Sequence, residues 1–206
     1  RTEFDEGNLP EAIYHNYIAP AVLNMELKTT SYDIKWHLPE IKNVELIFGS
    51  QGKNQTNRNK GLENLIPDAN EQQLGGFAMI KYVKNKFTTI AGIRYDVKKI
   101  QGFEMDTLGG EGYKRAFKQM YDSYNGSLGF TYQFNDKLLL RTNVASGFRA
   151  PNLAELSSNG VHEGTFRYEI GNLALKTEQN FEIDFGFEYV DEHVSLAFSA
   201  FNNSIK

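Results

Sequence analysis

The feature that most constrains this chain is a period of two in its apolar residues, repeated eight times and interrupted by connections of two alternating lengths. Tyr32, Ile34, Trp36 and Leu38 alternate with Asp33, Lys35 and His37, and after a turn at Pro39 to Lys42 the same pattern returns through Val44, Leu46 and Phe48. Leu74 to Tyr82 and Phe87 to Val97 form a second such pair around Lys84–Asn85–Lys86. Leu128 to Phe134 and Leu138 to Val144 form a third around Asn135–Asp136. Phe181 to Tyr189 and Val194 to Ala200 form a fourth around Asp191–Glu192. A residue every second position on one face is the mark of a strand, and two such runs across a short polar turn make a hairpin. The expected fold is therefore all-β, an antiparallel up-and-down meander of about eight long strands.

The connections sort by length. Those near 41, 85, 135 and 191 are tight, whereas 51 to 72, 99 to 121 and 147 to 178 read as long polar loops. In a meander this places every tight turn at one end and every long loop at the other, the organisation of a transmembrane β-barrel. Residues 1 to 20 have weak pattern, with one strand expected around Ala12 to Ile18. The opening residues are polar and acidic and carry no signal-peptide pattern. No apolar run approaches the roughly 20 residues of a membrane helix, but a closed barrel also satisfies its backbone groups in lipid. Pattern alone leaves open a soluble extracytoplasmic β-sandwich binding domain, which would pack its aromatic faces against each other. Two features favour the membrane. Aromatic rings sit near strand ends (Tyr32, Trp36, Tyr82, Tyr95, Phe134, Tyr189), where headgroups lie. The opposite face is charged: Lys35, Lys81, Arg94, Asp96, Arg141, Glu182, Asp184 and Glu188.

The net charge of −4 gives no basic bias toward nucleic acid. The absence of cysteine excludes disulfides, thiolate metal sites and thiol catalysis. The four histidines are scattered without zinc-ligand spacing. Ser157 and Ser158 with His162 lack a nucleophile elbow, and the glycine-rich GGEG and NGSLG lack a P-loop lysine. No enzyme and no cofactor is expected.

The longest connection carries the informative motif. GFRAPNLAEL is followed by SNGVHEGTFRYEIGN and LALKTEQN. This resembles the late-barrel signature of the TonB-dependent receptors, outer-membrane transporters of Gram-negative bacteria. Gly147, Phe148, Arg149, Ala150, Pro151, Asn152, Glu155 and Leu156 match its first part. Gly171, Asn172, Leu175 and Glu178 match its second, with Leu173 and Thr177 standing where the family has proline.

The resemblance implies a 22-stranded transmembrane barrel plugged by an N-terminal domain. Residues 1–206 would be a central piece of that barrel, lacking plug and terminal strands. It implies energised uptake of a scarce solute such as a ferric siderophore, haem or cobalamin. The implied partners are outer-membrane lipid, the TonB energy-coupling complex acting through the plug, and an extracellular small-molecule or metal-chelate ligand. Arg149, His162, Arg167 and Tyr168 are candidates for the wall of a ligand vestibule. Arg149 and Arg167 would either brace the loop against lumen carboxylates such as Glu182 or face an anionic ligand. His162 with Glu163 is a candidate metal pair, which would make the protein a divalent-metal receptor instead.

Overall fold

The computed structural model describes residues 2–4, 21–61, 64–106, 113–162 and 167–206. The expected strand at Ala12 to Ile18 lies outside the described residues. The chain forms β1 (Thr2–Phe4), β2 (Ala21–His37), β3 (Val44–Asn59), β4 (Ala69–Lys84), β5 (Phe87–Gly102), β6 (Phe117–Asn135) and β7 (Leu138–Arg149). A short helix α1 (Leu153–Ser157) and a small hairpin, β8 (Asn159–His162) and β9 (Arg167–Ile170), precede β10 (Glu178–Val190) and β11 (Ser195–Ile205). One nine-stranded antiparallel sheet runs in the order β1-β2-β3-β4-β5-β6-β7-β10-β11, with β8-β9 apart from it. Eight of the nine are long. The sheet is open, with β1 and β11 at its edges, so the barrel is not closed within this chain. Among the described residues the one other sheet is the β8–β9 hairpin, and the aromatic face has no sheet packed on it, unlike the face of a sandwich.

The tight turns fall where the sequence places them. Ile41 bridges Val44 across Lys42 and Asn43, both with positive φ (49° and 69°), the backbone of a type I′ hairpin whose twist matches its strands. Lys84 pairs Phe87 across a two-residue turn, where Asn85 has φ 53°.

The long connections are shorter than composition suggests. β3 runs on through Ser50 to Asn59, β4 begins at Ala69, β5 ends at Gly102 and β6 begins at Phe117. The connections are thus 60–68 and 103–116, rather than 51 to 72 and 99 to 121. These extensions stay in register (Thr56 opposite Asn70, Gln101 opposite Lys118). Alternation of apolar and polar residues reports a sheet with one dry face. Where both faces carry mostly polar side chains, the ladder persists and the alternation does not.

Register fixes two faces. Trp36, Phe48, Ala78 and Ile93 lie in one row of the first face, and many of its large apolar side chains are uncovered: Trp36 is 68 % exposed, Ile93 70 % and Tyr124 76 %. Its aromatic neighbours stack across strands, as Tyr95 on Tyr124 with centroids 4.5 Å apart. The other face is polar and cross-linked. Arg94 donates to both oxygens of Asp96 (2.7 and 2.6 Å) and to Gln51 Oε1 (2.6 Å). Glu71 binds Lys53 (2.9 Å) and Lys98 (3.2 Å), and Arg141 binds Glu188 (2.9 Å).

Candidate functional site

The buried core lies at the long-loop end of the polar face. Ile100 of β5 and Tyr121 of β6 point to that face, and Leu156 of α1 closes over them, with Ile100 and Leu156 0 and 1 % exposed. Phe117, Ala150 and Leu153 surround the contact. Helix α1 therefore sits on the polar face of the sheet, and the strand extensions form the wall it leans on.

A helix of five residues has no intrinsic stability, so its caps matter. Asn152, extended at φ −91°, accepts the Glu155 N–H at Oδ1, and Glu155 accepts the Asn152 N–H in return, both at 2.9 Å. This reciprocal capping box satisfies two orphan donors. Pro151, buried just before it, fixes the approach of the chain.

Arg149, the last residue of β7, joins the two halves of the signature. It donates through Nη1 to both oxygens of Glu155 (2.8 and 2.9 Å) and through Nε and Nη2 to Glu178 (2.9 and 2.7 Å). Glu178 opens β10 directly opposite Arg149 in register. The Asn152 amide and then the Arg149 guanidinium hold the Glu155 carboxyl below its ordinary pKa. Glu182 is not the partner of Arg149. It lies four residues along β10, about 13 Å away at the rise of a strand, beyond reach of a guanidinium already forked between two nearer carboxylates. Arg167 sits exposed at the start of β9 and forms no ion pair among the described residues.

The second half of the signature locks onto the first through backbone. Gly171 N–H donates to Ser158 O (2.7 Å) and Asn172 N–H to Glu155 O (2.8 Å). A Cβ at Gly171 would stand 2.3 Å from Ser157 N and 2.5 Å from Leu156 C, so this approach requires glycine. Asn172 turns the chain by accepting the Ala174 N–H at 2.9 Å. The wall of β6 then receives the segment, Gln119 donating to Leu173 O (2.8 Å) and Tyr121 to Leu175 O (3.3 Å).

The hairpin β8–β9 hangs from this clasp. Tyr168 donates to Asn159 Oδ1 (2.8 Å) and is 58 % exposed. Lys114, from the 103–116 connection, is 3 % exposed and donates to Asn159 O; burial lowers its pKa, with Asp106 opposing. The backbone of His162 pairs with Arg167, but its side chain and the whole of Glu163 lie outside the described residues, and so does the candidate metal pair. Among the described residues no three His, Asp or Glu side chains gather as a metal site. Ser157 and Ser158 fall at the end of α1, where Ser157 Oγ donates to Leu153 O (2.6 Å).

Sequence reasoning missed α1, Ile100, Tyr121, Gln119 and Lys114. Only the Asn152-x-x-Glu155 spacing signals the helix in advance.

The model of the TonB-dependent receptor-like β-barrel matches residues 12–206. The chain belongs to the TonB-dependent receptor family. Solved structures of the same fold include the copper transporter OprC (15 % identity, TM-score 0.73, covering 95 % of this chain and 32 % of that one). The Neisseria meningitidis iron transporter FrpB in its apoprotein form matches at 15 % identity and TM-score 0.69, over 94 % of this chain and 31 % of that one. The Serratia marcescens hemophore receptor HasR, solved as a double mutant with its hemophore HasA and heme, matches at 15 % identity and TM-score 0.68, over 90 % and 34 %. This TonB-dependent receptor chain thus spans about a third of the solved proteins it resembles. No curated protein matches it in sequence.

Proposed function

We propose that the chain is the central barrel sector of an outer-membrane transporter that imports a scarce solute, a ferric siderophore, haem or another metal chelate, with energy delivered by TonB through a plug domain. One observation carries this reading. The sheet has an uncovered aromatic face and a charged, cross-linked face, and the described part of the signature segment folds over the charged face, at the long-loop end. Lipid suits the first face and a hydrated lumen the second. In the complete receptor the remaining strands close a barrel of 22, and the long-loop end faces outward.

Within that frame the Arg149 clasp is a structural brace and the hairpin it carries is the wall of the ligand vestibule. Tyr168 and Ile170 stand exposed there, 58 and 78 %, with Arg167 beside them, a set suited to an anionic, partly aromatic chelate. No bond of the solute is made or broken.

The test uses the complete receptor in its parent cell. Outer-membrane fractionation and heat-modifiable gel migration establish the barrel. Uptake of labelled ferric chelate or haem is then measured with and without a proton-gradient uncoupler. Uptake that needs both the receptor and the gradient is the expected result. A protein recovered in the soluble fraction, or uptake indifferent to the uncoupler for every chelate tried, would sink the proposal.

A further inference from the structure

Three connections at the long-loop end meet in one small junction. The 103–116 connection reaches 60–68 through backbone and sulfur: Phe103 N–H donates to Asp68 O (2.8 Å) and Asp68 N–H to Met105 Sδ (3.1 Å). The 60–68 connection reaches the hairpin through Leu65 O, which accepts the Asn159 N–H (3.2 Å). The hairpin reaches back to 103–116 through Asn159 O, which accepts from Lys114 Nζ. These contacts close a ring, and Asn159 stands in it twice. The same residue holds Tyr168 of the vestibule wall by its Oδ1.

The ring carries costs that an apolar junction would not. Lys114 is 3 % exposed, yet among the described residues its acceptor is a single neutral carbonyl. Taking an ammonium group out of water costs more than one such bond returns. Burial accordingly pushes the Lys114 pKa down, and Asp106, exposed in the same connection, opposes this through its charge. Asn64 Oδ1 and Ser158 Oγ, one residue before Leu65 and Asn159, are buried with no hydrogen-bond partner among the described residues. Each of these groups regains water when the ring parts.

We propose that Lys114 is a release latch for the vestibule hairpin: its ammonium group sits on Asn159 O while the three connections are joined and returns to water beside Asp106 when they part. What the latch serves rests on the reading of the hairpin as vestibule wall. The desolvation of the joined state is relieved on opening, so the ring opens more readily than an uncharged one. Lys114 is thus a positioning residue. Through Asn159 it sets how often the hairpin, with Tyr168 and Arg167, is free to admit or release a chelate. A plain brace would act in the opposite sense, because its removal loosens what it holds.

The experiment uses the complete receptor in detergent, its barrel checked by heat-modifiable migration. Amide hydrogen exchange is read at Asn159, whose N–H closes the ring, and at Gly171, whose N–H closes the neighbouring clasp on Ser158 O. Lys114→Met keeps an unbranched stem and removes the charge. Exchange at Asn159 should slow roughly ten-fold, with Gly171 unchanged. Ser158→Ala, which removes an unpartnered hydroxyl, should slow exchange at Asn159 roughly five-fold. Faster or unchanged exchange at Asn159 in either variant overturns the proposal. A Lys114→Met receptor without a heat-modifiable barrel overturns it too, because loss of the charge is then no relief. Exchange needs no cargo, so slowed exchange in a receptor that takes up neither haem nor any ferric chelate upholds the latch and counts against the import reading alone.

Discussion

Replacing Gly171 with alanine should release α1 from the barrel wall. The new Cβ would meet Ser157 N, Leu156 C and Leu156 O at 2.3, 2.5 and 2.7 Å. All three are backbone atoms, so no side-chain rotation relieves the contact. Gly171 is outside the left-handed region of φ, and the cost is steric. Overpacking of this kind costs about 1–3 kcal/mol when neighbours yield. Yielding here means parting Gly171 from Ser158 O and Asn172 from Glu155 O, each worth about 0.5–1.5 kcal/mol. Undocking costs a comparable amount, chiefly the burial of Leu156 at about 2 kcal/mol. The destabilisation of the docked state should be about 2–4 kcal/mol. Hydrogen exchange in the complete receptor reads this as faster exchange at Leu156, Ser158, Gly171 and Asn172, by roughly thirty-fold or more if local opening governs the rate. Gly160→Ala is the control, since its Cβ would lie 3.5 Å from Leu65 Cδ1, an ordinary contact. Wild-type exchange in Gly171→Ala would refute the account of why this position is glycine.

Leu156→Ala should destabilise docking by about 2–5 kcal/mol, the range for a buried leucine, seen as proteolytic cleavage within 150–177 while the barrel's heat-modifiable migration is unchanged. The depressed pKa of Glu155 gives a pH dependence of known sign: its contribution is present above the unfolded carboxyl pKa of about 4.5 and is lost as pH falls through the lower folded value. Protection of α1 should drop in that acid window in the wild type, and Glu155→Gln should start weaker and show no such step. Expressed alone in water, the 206-residue chain should self-associate and bind a hydrophobic dye, because its aromatic face is uncovered and its edge strands unpaired; a monodisperse, dye-free monomer would contradict this.

The parts of the fold legible in sequence are those where the two faces of a strand meet different surroundings. Tyr32 to Leu38, Phe87 to Val97 and Phe181 to Tyr189 alternate because one side is dry, and the hairpins, their turns and the end that bears the long loops follow from that alternation. The same logic explains the misreading of 51–59 as loop, whereas 99–102 holds one apolar residue, Ile100, too few to show a period. Lys53, Gln55 and Asn57 line one side of β3 while Asn54, Thr56 and Arg58 line the other, and no periodicity distinguishes two polar faces from a coil.

The site divides in the same way. The sequence alone linked residues 147–156 and 171–178 as one motif and left Arg149 either bracing the loop against carboxylates or facing an anionic ligand. Which carboxylates, and for what, only the tertiary structure decided. Arg149 reaches Glu178 because β10 registers against β7, and Glu155 because a five-residue helix folds back over Ile100 and Tyr121. A helix that short leaves no 3.6-residue period, and its docking wall lies more than thirty residues away in sequence, so neither fact is local. Local chemistry set the strands, turns and caps. Closure across the sheet chose the partners, since it alone brings those distant groups within hydrogen-bond reach.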